Sequence, residues 1–205
     1  MAERAHPDDA GFQDRFFGLK PNRYKRKLHE RYRRCNALVA GKTLLDIPCG
    51  TGWGTSLLRG YRFAWGIDIA EDAIEFAKRR YERKGKLEFR VGRMEQIELA
   101  DDAVEVLLCL EGFEHVTREV GSAFVTEAKR VLKRDGTLVL TCPVLDERGK
   151  DSGNPHHLYE YPEHELIQTL NDNFRIERLE RFQGPDGPEY RAVCKNFKDV
   201  RYISG

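Results

Sequence analysis

The chain has 205 residues, 40% of them hydrophobic and 34% charged, which suits one globular domain and is too short for a two-domain enzyme. Lys and Arg number 35 against 34 Asp and Glu, so the net charge is +1, without the basic excess expected of a nucleic-acid-binding protein. A mean hydropathy of -0.63, no apolar run of about 18 residues and no apolar leader in the first ten positions argue against a membrane span or secretion signal, so a cytoplasmic location is expected.

Residues 1–18 carry no periodicity. Over 22–40, Tyr24, Leu28, Tyr32, Cys35 and Leu38 recur at helical spacing with Lys25, Arg26, Lys27, Arg31, Arg33 and Arg34 between them, which predicts a basic amphipathic helix. Its charged face is either solvated, with snorkelling stems, or part of a lid over an anionic or polyhydroxy substrate. Short apolar strands at 43–47, 63–67, 87–91, 104–110 and 137–142 then alternate with helical patterns at 54–59, 71–82 and 122–133. That rhythm implies right-handed crossovers and a parallel sheet covered on both faces. The helix ending at 133 has a basic last turn and a glycine stop at Gly136. A loop at 146–155 and a helix at 163–170 lead into strand runs at 174–182 and 189–194. The turn between these runs, Gln183 to Pro188, makes a hairpin that puts the final strand antiparallel at a sheet edge. Cys35, Cys49, Cys109, Cys142 and Cys194 form no Cys-x-x-Cys pair, as in proteins that use cysteine as a small buried hydrophobe.

The most informative segment is Thr43-Leu44-Leu45-Asp46-Ile47-Pro48-Cys49-Gly50-Thr51-Gly52-Trp53-Gly54, a buried strand ending in an acid and followed by a glycine-rich turn that opens a helix. About 20 residues on, Asp68 within Gly66-Ile67-Asp68-Ile69 ends the second strand where a carboxylate can accept ribose hydroxyls. Over 41 to about 195 the sequence resembles the class I S-adenosylmethionine-dependent methyltransferases, whose first motif is matched by Asp46, Gly50 and Gly52 and whose ribose-binding acid is matched by Asp68. The acidic Asp46 would repel a pyrophosphate and Pro48 stands at the usual first glycine, both against a dinucleotide enzyme. The resemblance implies an α/β, Rossmann-like doubly wound fold: a mostly parallel seven-stranded sheet with an antiparallel last strand and helices on both faces. Residues 1–40 would form an N-terminal segment and lid helix, and 41–205 the methyltransferase domain. It also implies S-adenosylmethionine contacts from Asp46, Cys49, Gly50, Gly52, Asp68, Ile69, Met94, Glu95 and Leu110, with Met94 over the adenine.

The fourth strand ends in Glu111-Gly112-Phe113-Glu114-His115, with no Asn/Asp-Pro-Pro-aromatic tetrapeptide of the kind used on base and amide nitrogens. If the chain turns helically at Gly112, Glu111 and Glu114 lie one turn apart beside His115, a donor set suited to Mg²⁺ or another divalent cation. The spacing looks like the metal site of the O-methyltransferases of ubiquinone biosynthesis. A ligated hydroxyl loses its proton more readily, and histidine is the natural base near neutral pH. Asn154-Pro155-His156-His157-Leu158-Tyr159-Glu160 should overlie the same sheet edge, and resembles a motif of sugar-modifying methyltransferases, as 19–24 does loosely. His157 is the preferred base or fourth ligand, with His115 and His156 as further catalytic candidates. The expected activity is O-methylation of a small hydroxylated acceptor, a sugar or oligosaccharide, with no nucleic-acid or integral membrane partner and with homodimerisation plausible. Methylation of a catechol-like quinone precursor is the alternative; Pro48 and Arg93, both departures from the family, keep open a cofactor-binding module without transfer chemistry.

Overall fold

Successive side chains along the central strands enter two different apolar clusters, and this alternation sets the layers. Leu44, Val106 and Leu108 join one cluster, while Leu45, Leu107 and Cys109 join the other. The computed structural model describes residues 23–145, 151–183 and 188–197. In chain order these form α1 (Arg23–Val39), β1 (Thr43–Asp46), α2 (Trp53–Leu57), β2 (Phe63–Asp68), α3 (Glu71–Tyr81), β3 (Leu87–Val91) and β4 (Val104–Leu110). A 3₁₀ turn (Phe113–His115), α4 (Arg118–Val131), β5 (Leu132–Pro143), α5 (Glu163–Asn171), β6 (Arg175–Gln183) and β7 (Pro188–Lys195) follow. Helices α1, α2 and α3 contribute to the cluster on one face, α4 and α5 to the cluster on the other.

The strand order is β3-β2-β1-β4-β5-β7-β6. Strands β1 to β5 pair in parallel, and β7 is antiparallel to both of its neighbours. The sheet is thus mostly parallel with an antiparallel last strand, but the expected edge position is corrected: β7 is inserted between β5 and β6, and β6 is the edge. Composition explains the exchange. The side chains from Glu189 to Cys194 are buried, as an inner strand requires, whereas β6 reads Arg-Ile-Glu-Arg-Leu-Glu-Arg-Phe-Gln and carries the charges that protect an edge.

Two further expectations shift. Helix α4 ends at Val131, and Gly136 lies inside β5 instead of ending the helix; the left-handed residue there is Asp135, at φ 59°. Asn196 holds this junction, its Nδ2 donating to the carbonyls of Leu132 and Lys129 at 2.8 and 3.0 Å. Helix α2 is shorter than expected, at Trp53–Leu57. Helix α1 is amphipathic as its spacing predicts: Tyr32, Cys35 and Val39 are buried in the core while Arg26, Arg33 and Arg34 stay exposed. All five cysteines are free and buried. Residues 1–18 and most of the 19–24 segment lie outside the described residues, as does the centre of the 183–188 turn. No helix among the described residues is long and apolar enough to cross a membrane.

Connections run from β1 outward through β2 to β3 and then return to β4 on the other side of β1. The crevice between the C-terminal ends of β1 and β4 is where a doubly wound sheet takes its ligand.

Candidate active site

A cavity of about 390 Å³ opens at that crevice, within the range of roughly 300–1,000 Å³ usual for small-molecule sites. One end is built by the turns after β1, β2 and β3. Gly50 stands at φ 55°, and a Cβ added there would meet no protein atom, so the turn leaves open space over the cavity floor. Its amide donates to Asp68 Oδ2 at 2.8 Å, and the amide of Ala70 donates to Asp68 Oδ1 at 3.0 Å, which fixes the carboxylate at the end of β2. Cys49, Ile69, Met94, Glu95 and Leu110 complete this end. Ile69 is 56% exposed, an unusual state for a large apolar side chain and one that suits a flat apolar ligand face.

Two expected cofactor residues do not reach the cavity. Asp46 is fully buried, accepting from Thr55 Oγ1 at 2.6 Å and from the Tyr32 hydroxyl at 3.4 Å. Burial pushes its pKa up to about 7 against the pull of those two donors, with Asp68 adding to the rise. It orients the cavity-lining Tyr32 and touches no ligand space. Gly52 stands at φ 73°, and a Cβ on it would come within 2.6 to 2.8 Å of Phe89 and Ala77. Glycine is required there for the β3–α3 packing, not for ligand approach. Pro48 follows a cis peptide and packs its ring on Gly112, where a Cβ would lie 2.3 Å from Cγ and Cδ.

The other end is walled by Glu111, Glu114, His115, Asn154, His157 and Glu189, with apolar sides from Leu28, Val116, Val120 and Leu158. Backbone bonds bring the two halves together: the amides of Leu158 and Tyr159 donate to the Glu114 carbonyl at 2.8 and 3.2 Å. The loop after β5 therefore does overlie the fourth-strand turn. His115 Nδ1 lies 3.0 Å from the His156 carbonyl oxygen, which can only accept, so Nδ1 carries the proton and the lone pair of the neutral ring is on Nε2. That Nε2 is 4.0 Å from Glu114 Oε1. His157 is held on both nitrogens: Nδ1 donates to Glu160 and Nε2 accepts from Asn154 Nδ2 at 3.1 Å. Burial raises the Glu160 carboxyl, but the donors from Ser152 and His157 outweigh it and leave its pKa below the ordinary value. The ring of His156 is exposed and lines no part of the cavity, so its place among the catalytic candidates is corrected; only its carbonyl contributes.

The expected metal set of Glu111, Glu114 and His115 is also corrected. Glu111 precedes the 3₁₀ turn at φ 57°, a left-handed conformation that aims its carboxylate elsewhere. Oε1 accepts from Thr141 Oγ1 at 2.7 Å, and Oε2 pairs with Arg31 Nη2 at 3.0 Å. The atoms that come within 4.8 Å of one another belong to Glu114, His115 and His157. As they stand these residues do not fit a divalent cation, because both nitrogens of His157 are committed to Asn154 and Glu160, which leaves only Glu114 and His115 Nε2 to ligate. Glu114 is 2% exposed, and its Oε2 has no hydrogen-bond partner. Burial first, and then the nearby Glu111, raises its pKa.

Tyr32, Trp53, Arg31, Glu189 and Leu158 were not foreseen as site residues. Arg31 had a signal, since it falls three residues after Leu28 and four before Cys35, on the apolar stripe of α1. Trp53, flanked by two glycines, had one as well.

Residues 45–140 match the family model described as a methyltransferase domain. A protein of Mycolicibacterium smegmatis called "Probable S-adenosylmethionine-dependent methyltransferase" is 30% identical over 166 residues, 78% of this chain and 63% of that one. The ubiquinone biosynthesis O-methyltransferase of Neisseria meningitidis serogroup A is 31% identical over 106 residues, 49% of this chain and 44% of that one. The chain thus spans less than two thirds of either relative. In structure it is similar to the N-methyltransferase NodS of Bradyrhizobium japonicum, with a TM-score of 0.71 over 88% of this chain and 100% of that one, at 18% identity, a likeness of fold.

Proposed function

Because the chain belongs to the class I S-adenosylmethionine-dependent methyltransferases, we propose that its cavity binds S-adenosylmethionine at the Gly50–Asp68 end and passes the methyl group to a hydroxyl held at the Glu114–His115 end. The cofactor supplies an electrophilic methyl on a sulfonium. Asp68 would accept the ribose hydroxyls with the lone pairs left beside its two backbone donors, and Ile69 and Met94 would flank the adenine. The observation that carries the transfer reading is the His115 tautomer, which turns the basic nitrogen of a cavity-lining imidazole away from the His156 carbonyl. His115 is therefore our base, in preference to His157, whose ring braces the 152–160 loop.

The polar groups of Glu114, His115, Asn154 and Thr117 favour a polyol acceptor such as a sugar. A second reading, transfer to a phenol of a catechol-like acceptor with an apolar tail, draws on Leu158, which lines the cavity at 62% exposure, and on the N. meningitidis relative. Calorimetric titration of the cofactor, followed by transfer of labelled methyl to parallel sugar and catechol panels, tests both. Cofactor binding with no transfer in either panel would favour a binding module instead.

A further inference from the structure

Arg31 is 8% exposed, and a guanidinium so deeply placed must be compensated. One nitrogen, Nη2, lies 3.0 Å from Glu111 Oε2 and 2.5 Å from Glu189 Oε2. Both carboxylates line the cavity, Glu111 from the end of β4 and Glu189 from the start of β7, and Thr141 of β5 holds the other oxygen of Glu111. The backbone of Glu111 adopts a left-handed conformation rare for a side chain of its size, and this conformation delivers its carboxylate to the guanidinium. Arg31 therefore ties α1 to three adjacent strands at the acceptor end. It also stands in the position between carboxylates that a hard cation would take.

We propose that Arg31 is a built-in substitute for a metal ion: a positioning residue that supplies the fixed positive charge at the acceptor end, holds the Glu111 and Glu189 walls apart from any divalent cation, and makes the site metal-independent. The inference rests on the reading of this cavity as the methyl-transfer site. The guanidinium cannot lose its charge at working pH and pairs with both carboxylates through one nitrogen, so an incoming cation would have to part a buried positive charge from its two carboxylates. Removing the charge reverses the balance. Glu111 and Glu189 would then face each other across the gap as two hard oxygen donors lining an open cavity.

The test is Mn²⁺ titration of the full chain, with free ion read by electron paramagnetic resonance, alongside calorimetry of S-adenosylhomocysteine binding with and without EDTA. The wild-type chain should leave the ion free and bind S-adenosylhomocysteine equally in both buffers. R31M should bind Mn²⁺ at least about tenfold more tightly than wild type, since hard-cation affinity follows the number of ligand charges available. R31K, which keeps the charge, should not gain the ion, a distinction that loss of fold alone would not produce. A folded R31M with no gain overturns the proposal. So does wild-type uptake of Mn²⁺ that Glu111→Gln abolishes, and this arm decides the matter if R31M fails to fold. Failure of the wild type to bind S-adenosylhomocysteine would count against the methyltransferase reading, while the Mn²⁺ measurements still decide the role of Arg31.

Discussion

Asp46→Asn isolates the energetic cost of the buried acid that ends β1. The Asp46 pKa rises from 3.8 to about 7 in the folded chain, chiefly through burial. Below about pH 4 the carboxyl is protonated in both folded and unfolded chains and contributes nothing to the difference between them. Between about pH 4 and pH 7 the folded state keeps a proton that the unfolded state has lost, so stability falls by about 1.4 kcal/mol per pH unit. Above that window the cost is constant, at about 4 kcal/mol for a shift of about three units. An amide in place of the acid carries no such cost, although it gives up one of the two oxygens that accept from Thr55 and Tyr32, worth about 1 kcal/mol. Urea unfolding of cofactor-free wild type and variant at half-unit steps from pH 4 to 8.5 measures the difference directly, and all other titrating groups cancel. The stability of the variant relative to wild type should climb across pH 4–7 and then level off. Parallel curves would refute the reasoning, because they would mean that Asp46 ionises in the folded chain as readily as in the unfolded one.

Asp68→Ala should weaken S-adenosylhomocysteine binding by about 100-fold, as expected for the loss of two charge-assisted hydrogen bonds, and calorimetry within threefold of wild type would remove Asp68 from the ribose role. His115→Gln should lower kcat by about 10² to 10⁴ with cofactor affinity unchanged, whereas His157→Gln should act mainly on KM by loosening the 152–160 loop; the reverse pattern in steady-state assays would reassign the base. Gly54→Ala drives a methyl group to 2.1 Å from the Tyr32 ring and should cost about 1–3 kcal/mol in thermal or urea unfolding. Gly50→Ala, which meets open space, should cost about 1 kcal/mol through its positive φ and show its larger effect in cofactor affinity.

The alternation of strands and helices was legible because hydrophobic period reports burial directly, and the β1–β2 motif pair located the crevice correctly. Residue roles inside the motifs were less legible. Asp46 and Gly52 belong to the cofactor signature, yet one orients Tyr32 from within the core and the other makes room for Phe89 and Ala77. Which side of a tight turn a side chain takes depends on φ at single residues, and spacing does not carry that information. The same limit misread Glu111, whose left-handed backbone removes it from the face shared by Glu114 and His115. Arg31 was visible as a charge on an apolar stripe, but its partner Glu189 lies 158 residues away, beyond any local pattern. The edge position was misjudged because a hairpin specifies that two strands are neighbours without saying which of them meets the rest of the sheet.

The insertion of β7 between β5 and β6 bears on the order in which the protein is assembled during synthesis. Strands β1 to β3 and the turns that hold Gly50 and Asp68 are complete once residue 92 has left the ribosome, and local crossovers let them pair early. Strand β6 emerges next to last with no finished neighbour, and it waits for β7 to bridge it to β5. Glu189 arrives on that same closing strand. A nascent chain can thus hold the cofactor turns long before it owns a complete acceptor wall, and Arg31 lacks its Glu189 partner until the sheet is closed.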